Sequence, residues 1–166
     1  MATTQTQTHA IHRSTVPTVD AHAWHLEVPA SDALDETLVR QATLASRGLP
    51  IEVDEALATF ASTPHRSGAL LIRNAPIGQL PPTPRRPDAP TDKDLSTELV
   101  VLTVARRLGQ PVGYVPEHGG RLVQNVVPTQ SDADRQTSTS SRSNLMFHTE
   151  TAFHPHRPRY LLLLCL

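Results

Sequence analysis

Residues His148 and Glu150 stand two apart in the run Leu145-Met146-Phe147-His148-Thr149-Glu150, which reads as a short β-strand. On a regular strand, residues i and i+2 point to the same face. One imidazole nitrogen and one carboxylate oxygen can therefore meet a single cation. A distant second histidine would complete a facial set of two imidazoles and one carboxylate. Such a set leaves coordination positions open for an oxidisable co-substrate and O2, the arrangement that suits Fe(II). Neither donor is the soft thiolate that favours zinc or copper(I). The bare H-x-E pattern also occurs at ordinary strand ends whose side chains face solvent, so the pair alone leaves both readings open.

Other chemistry-bearing residues are weaker candidates. His154 and His156 share the same spacing but sit in the proline-punctuated stretch His154-Pro155-His156-Arg157-Pro158. They are expected to be turn residues that position the strand after them. With His148 they would make the alternative zinc set. His9, His12, His22 and His25 crowd the start of the chain, where only an adventitious metal site is expected. Cys165 lies among leucines, which raise a thiol pKa, so it is expected to be buried and inert. Ser138-Thr139-Ser140-Ser141 has neither a glycine-rich phosphate cradle nor a G-x-S-x-G elbow, which excludes a serine hydrolase of that type. Gly119-Gly120 precedes a strand-like run and is not a dinucleotide fingerprint.

The elements that must position these residues follow from periodicity. Residues 1–20 are rich in Thr, Gln, His and Ser and predict a disordered tail; residues 21–166 form the domain. Trp24, Leu26 and Val28 alternate and predict a first strand over 23–28. Ser31 and Asp32 offer an N-cap to a helix carrying Leu34, Leu38 and Leu44, which Gly48 stops. A second helix is expected over 53–62, with Leu57, Ala58 and Ala61 on one face. Gly68 to Arg73 reads as a buried strand, and 75–90 as a proline-dense surface loop. Asp94 begins the best helix, whose apolar side is Leu95, Leu99, Leu102 and Val104-Ala105 and whose last turn holds Arg106-Arg107. After Gly109 and Pro111, strand-like runs appear at 112–114, 122–127, 145–149 and 160–166, with a Ser/Thr/Asp/Gln loop from Pro128 to Asn144. Helices first and strands afterwards predict an α+β fold with its sheet beginning near residue 110.

Bulk properties narrow the class. The 166 residues suffice for one domain, and the formal net charge of -1, from 15 basic and 16 acidic residues, gives no case for nucleic acid or an anionic membrane as partner. No apolar stretch approaches the ~20 residues that span a bilayer. Met1 to His9 has no apolar core, so no secretory signal is expected, and the single cysteine fits a reducing, cytoplasmic setting. Tyr160 to Leu166 is apolar on both faces and predicts burial within a sheet. A chain closing inside such a strand is expected to be a fragment of a larger domain, or to pair with another chain through that edge.

The longer stretch from Asn144 to Leu166, containing H-T-E, an aromatic, a basic-Pro turn and an apolar strand, resembles the clavaminate synthase-like branch of Fe(II)/2-oxoglutarate-dependent oxygenases. That branch includes hydroxylases of free arginine and asparagine. Gly68 to Pro76 (GALLIRNAP), Leu108 to Tyr114 (LGQPVGY) and Val123 to Pro128 (VQNVVP) are similar to the family's approach to its core, so the resemblance runs from about Leu49 to Leu166. It implies N-terminal helices packed on a double-stranded β-helix, or jelly-roll, core. It implies that His148 and Glu150 are metal ligands, that Fe(II) is the cofactor, that 2-oxoglutarate is the co-substrate, and that the substrate is a small amino acid. Gln124, Ser138 and Glu150 match positions that meet the substrate in this branch. The family's distal histidine and its co-substrate-binding arginine have no counterpart in the 166 residues, so this chain alone is expected to show little oxygenase activity. A non-catalytic module that self-associates through its C-terminal strand is the competing expectation.

Overall fold

In a computed structural model, which describes residues 15–28, 35–63, 65–80, 94–126 and 153–166, the first element is a strand, β1 (Thr18–Asp20). The β-branched Thr18 and Val19 suit an extended backbone. Two helices follow, α1 (Asp35–Ala45), continued by a 3-10 turn at Ser46–Gly48, and α2 (Ile51–Ser62). They form the crossover to β2 (Leu71–Arg73), which pairs in parallel with β1 in the register Thr18–Leu71, Val19–Ile72 and Asp20–Arg73. Parallel strands require such a long connection. The ladder is extended by Leu71 N–H donating to Pro17 O at 2.9 Å and Ala21 N–H to Arg73 O at 2.8 Å. Asn74, at φ 58°, turns the chain out of β2, and its amide donates to Asp20 Oδ1 at 2.9 Å.

The long helix α3 (Ser96–Leu108) is the centre of the packing. Asp94 does not begin it. The Asp94 carboxylate instead accepts the Ser96 N–H at 2.9 Å and so satisfies a first-turn donor. Leu99 and Leu102 pack with Leu38 and Ala42 of α1. Val100 and Val104 pack with Val53 and Leu57 of α2 and with Ala21 and Trp24. The single apolar side expected for α3 is therefore two apolar sides, because α1 and α2 cover it from different directions.

Several other expectations change. Thr18–Asp20, expected inside a disordered tail, form β1. No strand covers 23–28: Ala23 adopts φ 58°, which breaks any ladder and drops Trp24 into the core. The strand expected over 68–73 shortens to three residues and is half-exposed, with Leu71 at 49%. Among the described residues the sheet lies near the start of the domain, and the runs at 112–114 and 122–126 form no ladder. Residues 160–166 also lack a ladder, but their burial alternates. Leu162 and Leu164 pack on the core cluster, while Leu161 and Leu163 are 61% and 81% exposed. Period-two burial is the signature of an extended segment lying on a surface. Cys165 falls on the outward side and is exposed, which corrects its expected burial. The described residues thus comprise helices and a small two-stranded parallel sheet. The jelly-roll core is not among them, and the cap residues Ser31 and Asp32, the 128–144 loop and the 145–149 strand lie outside them.

Arg107, in the last turn of α3, ties that helix to the first turn of α2. Its Nε donates to Asp54 Oδ1 and its Nη2 to Asp54 Oδ2 at 3.2 Å. Both positions also suit the helix dipoles. The Arg107 hydrogen bond, opposed by burial and helped by the Arg107 charge, holds the Asp54 carboxyl below its ordinary value. A carboxylate depressed in the folded state stabilises above its unfolded pKa of about 4 and loses that contribution as pH falls through the folded value. The pair is about one-third exposed, so its contribution is small. Asp54→Asn should lower stability by about 0.5–1 kcal/mol at neutral pH. Urea unfolding of both proteins from pH 7 to pH 2.5 should show this gap closing as the solution is acidified; a gap constant with pH contradicts the assignment.

Candidate functional site

The two residues with the strongest chemical signal, His148 and Glu150, lie outside the described residues, as does Ser138. Gln124 is described. It sits in an irregular stretch after Arg121, exposed to solvent and not on the expected strand. What the structure does define is the framework that brackets the H-T-E segment on its C-terminal side.

That framework begins with the turn at 153–158. The His156 N–H donates to His154 Nδ1 at 3.1 Å, so this ring nitrogen is engaged in closing the turn. The His-Pro-His stretch is a turn, as expected, but the segment after it forms no ladder among the described residues. The hydrogen bond also removes one donor atom from the alternative zinc set. Among the described residues, no group of three or more His, Cys, Asp or Glu side chains is placed to hold a metal.

Tyr114 holds the turn from the other side. Its ring lies 4.5 Å from the His154 ring, tilted by 58°, and its hydroxyl donates to the His156 carbonyl at 2.5 Å. The hydrogen bond joins residues 42 positions apart. The segment carrying Tyr114 folds back on itself. Glu117 N–H donates to Tyr114 O at 2.8 Å and Gly120 N–H to Glu117 O at 3.1 Å. Gly119 and Gly120 adopt φ 68° and 80°, the left-handed region glycine enters without steric cost. A Cβ on Gly113 would lie 2.8 Å from the Gly120 carbonyl carbon and 3.0 Å from Arg121 O, so only glycine fits.

Beyond the turn the chain is fastened to α2. Arg159 Nη2 donates to the Ala61 carbonyl at 3.2 Å, satisfying an acceptor in the last turn of that helix. The Arg159 guanidinium stands 5.3 Å over the Tyr160 ring, and Tyr160 meets Phe60 at 5.9 Å. Leu162 and Leu164 then seat on the core. Tyr114, Phe60 and Arg159 carry this fastening, and none stood out in the sequence. The available signal was the glycine density around Tyr114.

No model of a protein family matches the chain. Individual proteins do. The chain is 35% identical over 159 residues to the L-asparagine oxygenase of Streptomyces coelicolor, a match covering 94% of this chain and 47% of that protein. It is 38% identical over 142 residues to clavaminate synthase 2 of Streptomyces clavuligerus, covering 84% and 43% respectively. Among solved structures it is similar to the non-heme iron oxygenase OrfP in complex with Fe, succinate and (3S)-hydroxy-L-Arg. That match has a TM-score of 0.65 at 30% identity, over 74% of this chain and 38% of OrfP. Sequence and fold similarity point to the same family. The chain belongs to the clavaminate synthase-like Fe(II)/2-oxoglutarate oxygenases. It spans about half the length of the curated relatives it matches.

Proposed function

We propose that the protein takes part in hydroxylating an unactivated carbon of an amino acid, with O2 consumed and 2-oxoglutarate converted to succinate and CO2. The observation that carries this reading is the H-T-E triplet, His148 to Glu150, inside a chain whose similarity to an asparagine oxygenase covers 94% of its length. The succinate and hydroxyarginine held by OrfP support the same chemistry and an arginine- or asparagine-like substrate. Clavaminate synthase 2 among the relatives supports a role in secondary metabolism.

The donor chemistry fits the metal. His148 offers a borderline nitrogen and Glu150 a hard oxygen, the pairing that non-haem Fe(II) takes while keeping positions free. When bound, the iron supplies O2 activation, and the protein's share is positioning. In this reading His148 and Glu150 hold the cation. Gln124, already open to solvent, and Ser138 meet the polar head group of the amino acid, with the Glu150 carboxylate near its ammonium. A jelly-roll core is the expected scaffold, and the helices and small sheet described above pack beside it.

Anaerobic titration of the 166-residue chain with Fe(II) tests the metal reading. One equivalent should bind weakly, because two protein donors are fewer than the three of a complete facial set. His148→Ala and Glu150→Ala should each weaken binding at least tenfold, while His156→Ala should leave it unchanged. Binding indifferent to both His148 and Glu150 contradicts the proposal.

A second reading rests on one observation, the outward row of Leu161, Leu163 and Leu166, each more than 60% exposed. In that reading the segment pairs with a second copy of the chain, which covers the leucines, and the protein acts as a non-catalytic module. Sedimentation velocity should then show a dimer that Leu163→Lys dissociates. A monomer at all concentrations contradicts it.

A further inference from the structure

We draw no further inference here: the strongest candidate, the outward row of Leu161, Leu163 and Leu166 on the extended C-terminal segment, belongs to the second reading already given, and nothing in the structure shows what covers it.

Discussion

Burial of α3 on two sides is the constraint on which the other described elements depend. Leu99 and Leu102 face α1, and Val100 and Val104 face α2, Ala21 and Trp24. Each apolar side chain so removed from water contributes roughly 1.5–3 kcal/mol. With α3 central, α2 becomes the surface on which the chain's last described segment is laid. Leu162 and Leu164 reach the same cluster as Val53 and Leu57, and Arg159 bonds the end of α2. The two-stranded sheet closes that cluster from the side of Ala21.

From this core a short path of contacts runs to the 153–158 turn. Helix α2 holds residues 159–164, these hold the 153–158 turn, and Tyr114 grips the turn from a glycine-closed loop. The segment with His148 and Glu150 enters immediately before that turn. Under the proposed function, the likeness to clavaminate synthase-like oxygenases makes the pair the metal ligands.

Much of the helical frame was legible because apolar spacing and helix-end residues are local signals. The second helix was expected at 53–62 and found at Ile51–Ser62; α3 was expected from Asp94, which turned out to cap it. The parallel pair β1–β2 was not legible in full. Three-residue strands separated by two helices carry almost no periodic signal, and their pairing is decided by the core beneath them. The 160–166 run misled for a different reason. A sequence of leucines has no contrast between faces, so nothing in it says that 162 and 164 face inward while 161, 163 and Cys165 face out. The Tyr114 contact bridges 42 residues and depends on loop geometry, which residue spacing does not encode. H-T-E left two readings open from residue types alone, its weight as a metal site came from the family resemblance, and it lies outside the described residues.

The central claim is that one metal ion sits on His148 and Glu150. Anomalous diffraction from crystals of the chain soaked with Co(II) tests it most directly. A single strong peak is expected within bonding distance of an imidazole nitrogen of His148 and a carboxylate oxygen of Glu150. A peak on His154 and His156 or on the histidines near the start of the chain, with none at His148, would contradict it.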